Sequence, residues 1–423
     1  MIPRSAHGIS RSNINPNALK VLYRLKESGF SAYLVGGGVR DLLVGLHPKD
    51  FDIVTNAHPE QIKPLFRSCI LIGRRFRLAH VRFGRDIIEV ATFRAAQDPI
   101  ANTKHHHSKH GMLLRDNVYG TIEEDVWRRD FTVNALYYNI ADFSIVDYCN
   151  GMKDLNNKTL RMIGDPAQRY HEDPVRLLRA VRLAAKLNFT LAPETEAPVI
   201  KLAPLLQHVP AARLFDEVLK LFHSGHALQT LQLLRHYHLF PQLFPQTARC
   251  LAKENNTNAE VLLTLTCQTT DDRINSGKHV SPAFLFASLL WHPVQTRTKE
   301  LIAQRTLPAL AQQNAAHEIV SAQLKIISVP RLFSTAAREI WALQFRLERC
   351  YAKQVTRLVE HPRFRAAYDF LVLRAASGER VTESAQWWTT YLATEEAERP
   401  ALLEKLPRPS KPRRPRKKAK KNA

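Results

Sequence analysis

The sequence predicts an α/β head followed by an almost entirely helical remainder and a short cationic tail. Three observations predict it. Twelve of the 15 glycines lie at or before Gly164; glycine serves turns and positive-φ positions and weakens helix interiors by about 1 kcal/mol, so this skew separates a turn-rich head from a helical body. Short runs rich in β-branched and aromatic residues cluster before residue 94, where strands are expected. Residues 407–423 hold nine Lys and Arg among prolines, with no acid and no large apolar residue; such a segment cannot bury enough surface to fold alone and reads as disordered.

In order along the chain, Asn15 before Pro16 reads as a helix N-cap and first helical residue, and Gly29 stops that helix. A strand at 32–35 runs into Gly36, Gly37 and Gly38 and then a brief helix ending at Gly45. Strands are expected next at 51–54, 69–72, 79–83 and 87–93, interrupted by one helix around 59–66. Residues 123–140 and 173–187 read as helical, as do 210–223, 227–236 and most of the chain beyond them. No internal repeat of fixed period is evident. The resulting division is an N-terminal extension and helix (1–30), an α/β head (31–150), a neck (151–245), a helical body (246–406) and the basic tail (407–423).

The composition bounds the function. With 423 residues, 45% hydrophobic and 24% charged, the chain has material for two or three domains at roughly 150 residues each. A collagen, a mini-protein, a membrane channel and wholesale disorder are excluded. The five cysteines, Cys69, Cys149, Cys250, Cys267 and Cys350, form no close pair; they predict reduced thiols and a cytoplasmic protein. No apolar run approaches the roughly 20 residues of a membrane helix, and the polar start lacks the apolar centre of a signal peptide. A formal charge of +22 points to nucleic acid, with an anionic membrane or a merely solubilising surface as alternatives.

The stretch from Leu34 to Asp52 is the most informative. Glycines between a strand and a helix let the backbone approach phosphate oxygens, and Arg40 adds positive potential. Side chains alternate along a strand, so Asp50 and Asp52 point one way and Phe51 the other. Two adjacent carboxylates repel unless a cation lies between them, as Mg²⁺ does with phosphate substrates; an acidic strand end at the surface is the plainer alternative. Asp130, flanked by Arg128 and Arg129 on the expected helix, is a candidate third carboxylate, although a salt-bridged solvated face explains that run better when it is taken alone. Asp173 precedes Pro174 as a good N-cap. In the helix that Asp173 would cap, Arg176, Arg179, Arg182 and Lys186 fall within about 120° of one face. That stripe is either a snorkelling surface or the wall of a nucleotide site.

Together these motifs resemble the class II nucleotidyltransferases, the family of bacterial tRNA CCA-adding enzymes and bacterial poly(A) polymerases. The resemblance rests on the glycine turn with Arg40 and Asp41, the Asp50/Asp52 pair, Arg129, Asp130, Phe131 and Thr132 with Asn134, and Glu172 and Asp173 with Arg176. It is close from about Tyr33 to Pro245. Residues 71–81 look like the stretch that separates poly(A) polymerases from CCA-adding enzymes, and favour the former. None of the 18 histidines is followed by Asp, so the subgroup carrying an appended metal-dependent phosphohydrolase is excluded.

The resemblance implies a polymerase-β-like α/β head and a helical neck and body. It implies template-independent addition of AMP from ATP to RNA 3′ ends, with a role in mRNA processing and decay. Asp50 and Asp52 would bind Mg²⁺ and Asp130 would complete the catalytic acids. Gly36, Gly37 and Arg40 would cradle the triphosphate, Asp173 and Arg176 would recognise the base, and Arg129 and Arg179 would lie near the nucleotide. An RNA chaperone or decay machinery would be a partner. The rival readings are a CCA-adding enzyme of the same fold and a non-catalytic RNA-binding protein. Outside the motifs, His105, His106, His107 and His110 read as a mobile solvated insert in preference to a metal site. Trp387 and Trp388 read as packing in a helical core in preference to stacking on RNA bases.

Overall fold

The computed structural model describes residues 1–73, 77–95, 118–253, 257–404 and 406. The histidine cluster, the basic tail and part of the 71–81 stretch, Arg74 to Phe76, lie outside the described residues. The chain divides into two units, residues 1–210 with 229–242, and residues 211–228 with 243–423.

The first unit is built on a seven-stranded mixed sheet. Its strands are β1 (Ala32–Val35), β2 (Asp52–Thr55), β3 (Cys69–Ile72), β4 (Leu78–Phe83), β5 (Asp86–Thr92), β6 (Leu136–Asn139) and β7 (Ile145–Asp147), in the spatial order β3-β4-β5-β2-β1-β6-β7. All neighbours are antiparallel except β2 and β5, which run parallel with Ile53 opposite Val90. One face is closed: Leu34, Ile53, Ala79, Val81, Ile88 and Val90 are buried, as are Ala18, Val21, Leu22 and Leu25 of α1 (Pro16–Glu27). At about 1.5–3 kcal/mol per fully buried large aliphatic side chain, this apolar layer is the main stabilising term of the head. Helix α1 starts as its sequence dictates: the Asn15 side chain accepts the Asn17 N–H at 2.7 Å and Pro16 takes the first helical position. The other face is covered over β1, β6 and β7, where Val35, Tyr137 and Val146 pack with Val126, Phe93 and Ile163.

The structure corrects the helix expected over 123–140. A short helix spans only Ile122–Arg128 and is labelled α4, after α2 (Gly37–Leu43) and α3 (Pro59–Ile62); Arg129 is extended at φ −67°, ψ 166°, and a single 3₁₀ turn, Thr132–Asn134, leads into β6. Two causes end the helix. The Arg129 guanidinium folds back onto Asp125 and Tyr137, and Phe131 pairs as an isolated bridge with Met162. The run Leu136, Tyr137, Tyr138 then finds a strand partner in β1, with Val35 opposite Tyr137. A tertiary partner here overrides an ambiguous apolar spacing. Strands β6 and β7 are therefore additions to the five strands that the sequence predicts.

After the sheet come α5 (Gly151–Asn156), α6 (Pro166–Glu172) and α7 (Val175–Leu187), with a two-stranded parallel ladder of Thr159–Leu160 and Thr190–Leu191.

The second unit is helical among its described residues. Its core contains Trp341, whose indole N–H donates to the Ala287 carbonyl at 2.9 Å, and Trp388, which donates to the Leu347 carbonyl at 3.1 Å. Trp388 is fully buried and Trp387 stacks on Tyr391 at 5.2 Å between ring centroids, so the tryptophan pair is part of the helical packing. A buried polar knot lies nearby: Arg374 pairs with Glu348 and Glu379, and Glu379 also accepts the Trp291 indole N–H. All five cysteines are free. Among the described residues, no helix is long and apolar enough to cross a membrane.

Candidate active site

The site forms where β1 ends and β2 begins. Gly36 sits at φ +74°, a conformation costly for any L side chain, and turns the chain from β1 into the short helix α2. A Cβ placed at Gly36 would lie 3.8 Å from both Arg129 Nη1 and Asp52 Oδ2, so these two groups both lie against the turn. Gly38 allows the Lys49–Asp50 segment to pass close behind: a Cβ there would approach the Asp50 carbonyl oxygen to 3.2 Å.

Asp50 is exposed. Asp52 opens to solvent at the mouth of a cleft, yet protein crowds its carboxylate. That desolvation, with the like charges of Glu89 and Asp50, pushes the Asp52 pKa up to about 6 against the opposing pull of Arg129 and Arg179. The cleft has a volume of about 270 Å³ and is lined by Asp52, Glu89, Arg94, Asp125, Arg128 and Arg129 over an apolar floor that includes Ala91 and Leu78. Burial, together with the neighbouring cations Arg94, Arg169 and Arg176, lowers the Arg128 pKa to about 10, so this wall favours an incoming anion. Burial alone would ease deprotonation of Arg129, but Tyr137 and Asp125 outweigh it and hold the guanidinium firmly charged.

The remaining predicted residues are joined in a relay. Arg179 donates to Asp130 Oδ2 through Nε at 2.7 Å and Nη2 at 2.5 Å. Asp130 Oδ1 accepts from the Phe131 N–H at 2.8 Å and from Asn134 Nδ2 at 3.0 Å. Asn134 Oδ1 accepts from Arg40 Nη1 at 2.5 Å. Arg40 Nε and Nη2 donate to Asp41 Oδ1 at 2.9 and 2.6 Å, and Lys186 Nζ donates to Asp41 Oδ2 at 2.6 Å. A guanidinium only donates and a carboxylate only accepts, so the Asn134 amide can be satisfied in one orientation alone. The relay leaves α7 at Arg179 and returns to it two turns later at Lys186.

This geometry corrects two expectations. Arg40 is 4% exposed and spends its guanidinium on Asp41 and Asn134, so it braces the glycine turn from beneath instead of meeting a phosphate directly. Asp130 does not join Asp50 and Asp52 in a three-carboxylate cluster: among the described residues no group of three or more His, Cys, Asp or Glu is arranged to hold a metal. Burial disfavours the Asp130 anion, but Arg179, Asn134 and the Phe131 N–H prevail and hold its pKa well below the usual carboxylate range.

At the junction of α6 and α7, Asp173 Oδ1 accepts the Val175 N–H at 3.3 Å, so one oxygen helps start α7. Arg176 donates through Nη1 to the Arg169 carbonyl at 2.7 Å and to Glu172 at 3.0 Å. Arg169 in turn donates through Nη2 to the Arg128 and Arg129 carbonyls, both at 2.7 Å, which fixes the end of α4. The basic stripe of α7 is thus largely docked on the head, at Arg179 and Lys186, and is not a free solvent face.

Sequence reasoning missed Glu89, Arg94, Asp125, Tyr137 and the pairing role of Lys186. Tyr137 falls inside the helix expected over 123–140, where no polar role shows, and nothing in the sequence brings Glu89 beside Asp52 before the strand order is known.

Comparison with known proteins places this geometry. The family model described as "Poly A polymerase head domain" matches residues 32–161, "Probable RNA and SrmB- binding site of polymerase A" matches 188–251, and "Polymerase A arginine-rich C-terminus" matches 304–422. The chain is 47% identical to poly(A) polymerase I of Salmonella typhi over 100% of its own length and 92% of that protein. The chain belongs to the poly(A) polymerase family. It is a polyadenylating nucleotidyltransferase. The CCA-adding enzyme of Lactobacillus helveticus is a more distant relative, 38% identical over 51% of this chain and 52% of its own. The fold is also that of the solved Thermotoga maritima CCA-adding enzyme complexed with tRNA, with a TM-score of 0.60 at 19% identity, covering 94% of this polymerase and 89% of that chain. Membership of the family calls for a divalent metal at the site.

Proposed function

We propose that Asp50 and Asp52 hold Mg²⁺ and that the cleft beside them carries out template-independent transfer of AMP from ATP to the 3′ end of RNA. The observation that supports this is the placement of Asp52 Oδ2 and Arg129 Nη1 both against the Gly36 turn, which sets a metal-binding anion and a phosphate-binding cation at one backbone bend. The donor set suits Mg²⁺: two hard carboxylate oxygens, with the Asp52 pKa raised in part by repulsion from Asp50, leave room for the waters and phosphate oxygens that this ion prefers. Bound there, the metal would activate the attacking 3′-hydroxyl and neutralise charge on the departing pyrophosphate.

The chain's own residues do the rest. Gly36 and Gly37 let the triphosphate approach the backbone, and Arg40 keeps that turn in shape from below. Arg129, held by Asp125 and Tyr137, presents Nη1 to the phosphates without having to reorganise. Asp130 orients Arg179 toward the nucleotide. Asp173 and Arg176 recognise the base by hydrogen bonds, with Arg169 tying their helix junction to α4. RNA is held mainly through its phosphates, because a generic 3′ end need not be read by sequence. Free cysteines throughout suit a cytoplasmic setting, and the match over residues 188–251 supports a partner from the RNA-handling machinery.

Asp52→Asn tests the assignment. Nucleotide addition should be abolished with thermal stability and RNA affinity retained; incorporation at the parental rate would sink the metal role. Offered each nucleoside triphosphate separately, the enzyme should build long adenylate tails on generic RNA, and stopping after C, C and A on a tRNA would refute the adenylate specificity.

A further inference from the structure

Among the described residues, one face of the head sheet is covered over β1, β6 and β7 but open over β5, β4 and β3. On β3 the burial alternates so that Ile70 and Ile72 face outward at 46% and 38% exposure, and on β5 Ile87 does the same at 46%. Their strand neighbours Cys69, Leu71, Ile88 and Val90 point to the closed side or inward. Register aligns this open face in rows: Ile70 lies opposite His80 and His80 opposite Glu89, while Ile72 lies opposite Leu78 and Leu78 opposite Ala91. With Ile53 opposite Val90, the first row ends at Asp52 and the second runs into the catalytic cleft, whose floor includes Leu78 and Ala91. Arg82, exposed and opposite Ile87, borders the same face.

We propose that this open face of β3, β4 and β5 is the subsite for the last few nucleotides of the RNA that is being extended, which lay their bases on Ile70, Ile72 and Ile87 while the terminal ribose reaches Asp52. The inference rests on the proposed role of Asp52. It commits to RNA because the strip is continuous with the cleft to which the polymerase must bring an RNA 3′-hydroxyl. A base also presents an apolar face that any sequence shares, which matches an enzyme extending generic ends. Aliphatic side chains on a rigid sheet bury base area with no hydrogen-bond readout, and Arg82 can meet a backbone phosphate. Three strand spacings of ~4.8 Å separate Ile70 from Asp52; that ~14 Å accommodates about four nucleotides at the ~3.4 Å stacked rise.

The test is the triple variant Ile70→Ser, Ile72→Ser, Ile87→Ser, assayed with oligoadenylate primers of two to twenty nucleotides. Because the three side chains are only partly buried, the variant should stay folded with a modestly lowered melting temperature, and the assays are run below it. The expected result is a KM for RNA raised at least five-fold, already full with a four-nucleotide primer, with kcat and the KM for ATP unchanged. A primer carrying a photoreactive base three nucleotides from its end should crosslink to the peptide containing residues 69–72 in the parent protein. An unchanged RNA KM, or crosslinks confined to the helical body, would overturn the proposal. So would a parent dimer in sedimentation that the triple variant dissociates without any change in RNA KM, since the face would then serve a second copy of the chain. Failure of the Asp52 assignment is distinguishable, because Asp52→Asn would then retain turnover at saturating RNA whatever the isoleucine variants show.

Discussion

The Asn134 amide carries two charge-assisted hydrogen bonds in opposite directions, and Asn134→Leu removes both while keeping the volume. A hydrogen bond to a charged group contributes about 1.5–3 kcal/mol. Arg40 keeps its two bonds to Asp41, and Asp130 keeps Arg179 and the Phe131 N–H, so both losses belong at the lower end of that range, together about 3 kcal/mol. Because the chain has two units, bulk denaturation need not be a single transition, and the readout should be local. Hydrogen exchange of the α7 amides is suitable, since the relay returns to that helix at Arg179 and at Lys186. At 1.4 kcal/mol per decade, those amides should exchange on the order of 100-fold faster in the variant. Asn134→Asp should be worse at neutral pH, because it keeps the acceptor for Arg40 but sets a second carboxylate against Asp130, and it should ease as acid neutralises the pair. Combined with Arg179→Met, the Leu variant should be non-additive, as both side chains sit on Asp130. Exchange within three-fold of the parent would show that Asn134 is a bystander and that α7 is held by other contacts.

Four further outcomes are expected from the site and the tail. Gly36→Ala meets no clash, since its methyl would lie 3.8 Å from Arg129 and Asp52, but a side chain at φ +74°, ψ −139° costs about 1–3 kcal/mol; scanning calorimetry should show a lower Tm, and steady-state assays a raised KM for ATP. The Asp52 pKa of about 6 lies above its ordinary value, so the proton is bound more tightly in the folded state. In the absence of metal, the Asp52 contribution should make the fold less stable as pH rises from about 4 through 6, the reverse of a salt-bridged carboxylate, and Asp52→Asn should remove that slope from a pH series of thermal melts. The metal concentration for half-maximal turnover should climb below pH 6 for the same reason, as protons compete for the site. Deleting residues 407–423 removes nine positive charges; at a slope of about 0.7 per phosphate contact on single strands, the log–log salt dependence of RNA binding should flatten by up to about 6. Turnover on saturating RNA should persist, and its collapse would mean that the tail takes part in the chemistry.

The legible part of the sequence obeys local rules. The Asn15–Pro16 helix start, the strand before the glycine turn and the apolar side of α7 are each set by residues within one turn or one strand, and the structure keeps them. The illegible part depends on partners far away in the chain. The segment 129–139 has helix-like apolar spacing, yet Val35, 102 residues before Tyr137, offers it a strand partner, and the tertiary contact wins. Arg40 sits where a phosphate ligand is expected, but its neighbour in sequence, Asp41, and Asn134, 94 positions on, claim its guanidinium. A motif shows that a cation is wanted at a position; only the fold shows which anion receives it.

That distinction explains why the conspicuous acids divide into two kinds. Asp41 and Asp130 are each met by two or more donors and are spent on holding α2, the 130–134 turn and α7 together. Asp50 and Asp52 lie on the solvent side of the Gly36 turn, and Asp52 is left with an elevated pKa among other anions. Neutralising every carboxylate internally would give a more stable head with nothing left to bind a cation. Satisfying only the buried pair leaves the electrostatic strain at the cleft mouth, where a metal and a triphosphate can relieve it. The glycine turn belongs to both sets, with Asp52 and Arg129 beside it and the buried Arg40 beneath it, so a backbone bend proposed to meet the nucleotide is held in shape by a cation already spent on Asp41 and Asn134.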